Sequence, residues 1–214
     1  MSVKCGFALV AALAAGAWTQ GAVAGVVLSD NFDSSVAQGN WPGDTIFRSI
    51  PQPGDVGGMP SVDLVGPGFF GNLAFGAGNS VDLDGSTGSG FTPAGELQSV
   101  ASLPTGNYTI SFLLAGNMRG AANQTTVVSI GGQSIDVTPT SNAQPYTAYS
   151  LNFTGASGQV SFTDLGPADQ QGDLLDNVVV STVPEPMAWA LMLAGIGGVG
   201  GALRSRRRIA PATA

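Results

Sequence analysis

Between Asn107 and Ala115 the chain reads NYTISFLLA, with Tyr108, Ile110, Phe112 and Leu114 in one phase and Thr109 and Ser111 in the other. A repeat of two is the signature of a strand, whose successive side chains leave opposite faces. One face of this strand is strongly apolar, so a second apolar surface must cover it. The same alternation returns along the chain. Ser80–Asp84 carries Val81 and Leu83, and Gly95–Leu103 carries Leu97, Ala101 and Leu103. Thr147–Phe153 carries Tyr149, Leu151 and Phe153, and Gln159–Asp164 carries Val160 and Phe162. Thr125–Ile130 and Gln133–Val137 flank Gly131-Gly132, which predicts a tight hairpin. Leu174–Ser181 is more continuously apolar, as expected of a strand covered on both sides. No segment between the two ends has a convincing helical period. Short strands separated by turn residues predict an all-β sandwich, with a core that includes Leu83, Ile110, Phe112, Leu151, Phe162 and Val178.

Upstream, Gly25–Ser29 reads as a short opening strand, followed at once by Asp30-Asn31-Phe32-Asp33. Ser34–Gly78 is rich in Gly and Pro and carries Trp41, Phe47, Phe69, Phe70 and Phe75, a pattern of loops and short strands. From Asn79 to Ser181 the strand order resembles the galactose-binding-like jelly rolls. Its landmarks are Ser80-Val81-Asp82-Leu83-Asp84-Gly85, the stretch from Pro104 to Asn117, and Leu174-Leu175-Asp176-Asn177-Val178-Val179-Val180; Asn31-Phe32-Asp33 fits a shared N-terminal piece. The resemblance implies a single jelly-roll sandwich and, in some members, contact with carbohydrate.

Both ends read as targeting segments. Lys4, the apolar run Gly6–Ala17 and Ala22-Val23-Ala24 give residues 1–24 the three parts of a secretory signal peptide. The span Val183–Arg208 places Pro184-Glu185-Pro186 before a charge-free run, Met187–Leu203, and closes with Arg204, Arg206, Arg207 and Arg208. Proline fixes φ and lacks an N–H, which isolates the triplet from the preceding domain. The run is slightly shorter than the ~20 residues that span a bilayer, with Trp189 and the arginines placed to reach the interface. Arginines after the run belong in the cytoplasm. The order triplet, helix, arginine cluster, with Trp189 and Ala190, resembles the PEP-CTERM sorting signal. That resemblance implies an exosortase that cuts near the triplet, a transient transmembrane helix in the inner membrane, a cytoplasmic tail at 209–214, and a product at the cell surface or outside the cell. The organisation expected is thus a signal peptide, a sandwich over 25–182 and a sorting tail.

Charge is confined as sharply. Setting aside Lys4 and the four tail arginines, Arg48 and Arg119 are the only bases left, and Glu185 is the only acid outside the central domain. That domain therefore carries 13 acids against 2 bases. Such a balance argues against nucleic acid as a partner, since phosphate binding needs basic patches. The single cysteine, Cys5, lies in the leader, and there is no histidine. Disulfide staples, Ser-His-Asp triads, Cys-His dyads and histidine-ligated zinc are excluded.

The candidate chemistry is sparse. Asp82-Leu83-Asp84-Gly85-Ser86-Thr87-Gly88 superficially resembles a calcium loop, but glycine falls at position four and Pro93 stands where a bidentate Glu is needed. Alternation puts Asp82 and Asp84 opposite Val81 and Leu83, so they are expected on a solvated strand face. In galactose-binding-like folds the first and last strands lie near each other, which implies that Asp30, Asp33 and Asp176 could cage a structural Ca²⁺. A glycosidase needs two carboxylates across the sugar; Glu96 is the only central glutamate and nothing marks its partner. Trp41, in a Gly/Pro loop, is the candidate for stacking on a sugar, and Arg119, beyond the strongest strand, for meeting a ligand. Tyr108 and Tyr149 share the core phase. These features point to an exported structural or adhesive protein of exopolysaccharide or biofilm, with a carbohydrate-binding module of defined ligand as the alternative and a glycan hydrolase a distant third.

Overall fold

The computed structural model describes residues 24–207, apart from 74, 75, 77, 87–89, 91–93, 121, 184 and 185. Eleven strands appear in order: β1 Val26–Asp30, β2 Phe47–Ser49, β3 Asp63–Val65, β4 Ser80–Asp82, β5 Glu96–Ser99, β6 Leu103–Ala115, β7 Thr126–Ile130, β8 Gln133–Val137, β9 Thr147–Gly158, β10 Val160–Asp164 and β11 Leu174–Thr182. They form two antiparallel sheets. One runs β3-β4-β11-β6-β9 with β1 also on β11; the other runs β2-β5-β10-β7-β8. The sandwich and the C-terminal helix α1, Pro186–Arg207, are separate units.

The alternation in β6 is realised as expected. Tyr108, Ile110, Phe112 and Leu114 are buried, while Thr109, Ser111 and Leu113 are half-buried on the other side. Phe112 meets Phe162 of the opposite sheet edge-on at 5.3 Å and stacks on Tyr149 at 5.6 Å. Phe162 continues to Phe47, Phe47 to Phe32 and Phe32 to Trp41, a run of aromatic contacts at 5.9–6.2 Å. Aromatic pairs in these tilted geometries add to their area burial, and here they join both sheets to the otherwise irregular 31–47 segment. Of the six expected core residues, Leu151 alone is only partly buried, packed against the rest.

The β7–β8 hairpin turns at Gly131, whose φ is +56° and where a Cβ would fall 2.2 Å from the Ser157 carbonyl. Two needs, a left-handed backbone and a close approach, thus meet at one glycine. Leu103 opens β6 instead of closing β5. The Ser99 hydroxyl donates to the Ala101 carbonyl and ends β5 in a turn.

The solvated face expected for Asp82 and Asp84 is corrected by the structure. Both are buried, at 1% and 0% exposure. β4 lies inside its sheet, between β3 and β11, and the 165–173 segment closes over the strand end. The N–H groups of Asp169, Gln170 and Gln171 all donate to Asp84 Oδ2, at 2.7, 2.5 and 3.2 Å.

The C-terminal helix lies where the sequence predicts a transmembrane segment. α1 forms over Pro186–Arg207, but among the described residues no helix is long and apolar enough to cross a membrane.

Candidate functional site

β1 runs antiparallel to β11 with Asp30 opposite Val178. The pairing of β11 with β6 slips between Asp176 and Val179, and Asn177 there has φ +49°. A bulge of this kind re-aims side chains, and it brings Asp176 towards Asp30. Asp30 Oδ1 accepts the Phe32 N–H at 2.8 Å, while its Oδ2 is buried with no donor. Burial pushes Asp30 up to about 7, and the neighbouring charges of Asp44 and Asp176 push the same way. Asp176 is likewise raised to about 7, by burial first and then by Asp33. The strand ends open on a groove of about 310 Å³ lined by Ser29, Asp30, Asn31, Ser34 and Asn177 among others.

Asp33 is differently placed. Its Oδ1 accepts the Asn79 N–H at 2.7 Å and its Oδ2 the Asn31 amide at 2.8 Å, so it ties the 31–35 loop to β4's approach. The structure therefore brings Asp176 within electrostatic reach of both Asp30 and Asp33 and adds Asp44, which sequence reasoning missed because nothing in a Gly/Pro loop signals its direction. Among the described residues no three Asp, Glu, His or Cys side chains are grouped as metal ligands.

The two carbohydrate candidates have other work. Trp41 is 1% exposed, edge-on to Phe32 at 5.9 Å, and presents no ring face to a sugar. Arg119 Nη2 lies 2.7 Å from Asp82 Oδ2 and its Nε donates to the Asn117 carbonyl. It is the counter-charge of a buried carboxylate: burial still pushes Asp82 up to about 8, with Arg119 pulling it down. Tyr108 is core, as expected, and its hydroxyl donates to the Pro104 carbonyl at 2.6 Å.

A surface that the sequence did not reveal lies on the outer face of the β2-β5-β10-β7-β8 sheet. Register places Arg48 opposite Gln98, Gln98 opposite Ser161, Ser161 opposite Ser129 and Ser129 opposite Ser134. One polar residue from every strand thus forms a single row across the sheet. Arg48 Nη2 donates to Gln98 Oε1 at 2.9 Å, and the Ser129 and Ser161 hydroxyls share a bond of 2.8 Å. The neighbouring row holds Glu96, Thr163, Val127 and Asp136. Burial raises the Glu96 carboxyl above its usual range, while Gln52, Ser161 and Arg48 pull it down.

Of the expected sorting motif, Pro184 and Glu185 lie outside the described residues, as do 1–23 and Arg208. Pro186 is the first residue of α1, where a missing N–H costs nothing. Trp189, Ala190, Arg204, Arg206 and Arg207 lie on the same helix.

No protein-family model matches this sequence. No curated protein matches it either. Solved structures do. A cleaved adhesin domain of Lys-gingipain from Porphyromonas gingivalis superposes with a TM-score of 0.51 at 15% identity, covering 76% of this chain and 99% of that one. The CBM22-1 xylan-binding domain from Paenibacillus barcinonensis matches with a TM-score of 0.43 at 15% identity, over 75% and 96% of the two chains. A C-terminal CBM6 from Zobellia galactanivorans matches at 0.38 and 12%, over 64% and 99%. At these identities the likeness is one of fold: the chain is an all-β, two-sheet sandwich, a fold that it shares with the adhesin domain.

Proposed function

We propose that the sandwich is a non-catalytic extracellular module, a galactose-binding-like jelly roll that adheres to polysaccharide through the outer face of its five-stranded sheet. The observation that carries this reading is the cross-strand row Arg48–Gln98–Ser161–Ser129–Ser134. Sugars offer many hydroxyls and no charge, and a flat array of amide, hydroxyl and guanidinium groups answers them along an extended chain. The strongly acidic domain makes an anionic partner unfavourable. Resemblance in fold to an adhesin domain supports the same role. A glycan-array screen tests it: binding to a class of neutral polysaccharide is expected. Tight binding to one short oligosaccharide favours the second reading, a carbohydrate-binding module of defined ligand, and no retention on any glycan contradicts both.

The tail reading rests on the sequence, Pro184-Glu185-Pro186 followed by Trp189, Ala190 and the arginine cluster. We propose that an exosortase processes the chain there. Glu185→Ala is expected to leave the chain uncut in the membrane fraction; unchanged release of a tail-less product contradicts the proposal. A Ca²⁺ bound at the strand ends would use Asp30 and Asp176. The donorless Asp30 Oδ2 suits it, and Asp33, whose charge reaches Asp176, would complete the set.

A further inference from the structure

Three residues before Asp176, where the chain enters β11, a second set of acids is sealed from water, and neither adhesion nor processing uses it. Asp164 closes β10, Asp173 precedes β11, and Gln124 and Thr126 stand at the start of β7; all are essentially fully buried. Asp164 pairs in register with Thr126, and the Thr126 hydroxyl donates to Asp173 Oδ2 at 3.0 Å. The Gly166 N–H donates to Asp164 Oδ1 at 2.7 Å. The Gln124 amide nitrogen donates to the Gln171 carbonyl at 2.9 Å, which turns its oxygen the other way. That oxygen lies against Gly166, where a Cβ would fall 1.0 Å from it. It therefore faces the residue that holds Asp164.

Three oxygens of this group have no hydrogen-bond donor: Asp164 Oδ2, Asp173 Oδ1 and Gln124 Oε1. Orphaned buried acceptors are rare, because each carries its full desolvation penalty. Buried carboxylates without a cation are costlier still. Arg119, one of the two bases of the central domain, is spent on Asp82. Burial pushes Asp164 up to about 8, with Asp173, Asp84 and Asp82 raising it further, and pushes Asp173 up to about 7.

We propose that Asp164, Asp173 and Gln124 hold a Ca²⁺ ion beneath the 165–173 segment. Two carboxylates match a divalent charge. The donors are all oxygen, which suits a hard cation and not zinc or copper. Irregular donors from strand ends and a loop suit Ca²⁺ better than Mg²⁺, which demands near-octahedral geometry and keeps its waters. Two carboxylates and an amide oxygen leave the remaining positions to backbone carbonyls, so the site does not need a third acid. The ion would pin the 165–173 segment to β7 and β10.

The test uses the full chain, stripped with chelator at pH 7.5 and constant ionic strength. Bound Ca²⁺ is counted by equilibrium dialysis and Tm is read with about 5 mM CaCl₂ or MgCl₂, a level that saturates most extracellular sites. Calcium is expected to raise Tm on the order of 5–10 °C, and magnesium much less. Asp164→Asn and Asp173→Asn should each remove one equivalent of Ca²⁺, and Asp30→Asn, outside this set, should not remove that equivalent. Metal-free Asp164→Asn should melt no lower than the metal-free parent, since the amide keeps the Gly166 bond and cannot ionise in its buried place. Unchanged stoichiometry in both Asn variants overturns the proposal. So does an unmutated chain that binds no Ca²⁺ and gains Tm only on acidification, which makes protons the occupant. Should the variants fail to fold, the count for the unmutated chain still decides: one equivalent beyond that lost in Asp30→Asn supports the site, and none beyond it sinks the idea.

Discussion

Arg119 makes the burial of Asp82 tolerable. The guanidinium is itself 23% exposed, while the carboxylate it contacts is shut away from water. Breaking a buried pair from one side is expensive because the remaining charge is stranded. Arg119→Met is therefore expected to destabilise the chain by roughly 3–5 kcal/mol near pH 8. The loss should shrink near pH 5, where Asp82 takes up a proton. Denaturant unfolding at the two pH values checks this, and an equal loss at both means that the arginine acts through packing alone. Single residues were also where sequence reading was weakest. Period two gives the phase of Asp82 and Asp84 relative to Val81 and Leu83, but it cannot say whether the other face is covered. That cover comes from residues 165–173, some eighty positions later. Trp41 sits in a stretch with no period at all, so its aromatic partners, Phe32 above all, were illegible.

Among the elements, the long strands were readable, as was three-residue β4, while β2 and β3 were not. β6 declares its inner face over many residues, and β11 sits at the centre of its sheet as its unbroken apolar run required. β2 and β3 are too short to show alternation and exist because β5 and β4 receive them. Without β2 in place, the polar row on the outer sheet face could not be assembled from the sequence, since Arg48 had no neighbours. The two faces of β6 give a direct check. Phe112→Ala empties a position shared by Phe162 and Tyr149 and is expected to cost about 3–5 kcal/mol. Thr109→Ala loses one exposed hydrogen bond, to Asn152, and is expected to cost under about 1 kcal/mol. Equal losses in chemical denaturation would mean that the strand is covered on both sides.

Over the whole molecule, acids buried without enough cations set the pH response. Burial raises Asp82 and Asp164 to about 8, and Asp30, Asp173 and Asp176 to about 7. A carboxyl whose folded value is raised binds its proton more tightly in the native state, so stability falls as pH rises through that value. In chelator, Tm is expected to climb as pH falls from about 8.5 to about 5.5; a flat or opposite profile contradicts the buried placement of these groups.

The central claim is that the Arg48–Gln98–Ser161–Ser129–Ser134 face meets polysaccharide. Co-sedimentation with insoluble neutral polysaccharide, for the parent and two face variants, tests it most directly. Gln98→Ala with Arg48→Ala is expected to weaken retention at least about tenfold, with Tm nearly unchanged because both side chains reach solvent, each contact of this kind being worth roughly 1 kcal/mol. Thr109→Ala with Asn152→Ala, on the outer face of the other sheet, should bind like the parent. Parent-like retention by the Arg48 and Gln98 variant, or loss confined to the Thr109 and Asn152 variant, would place the contact elsewhere and contradict the account.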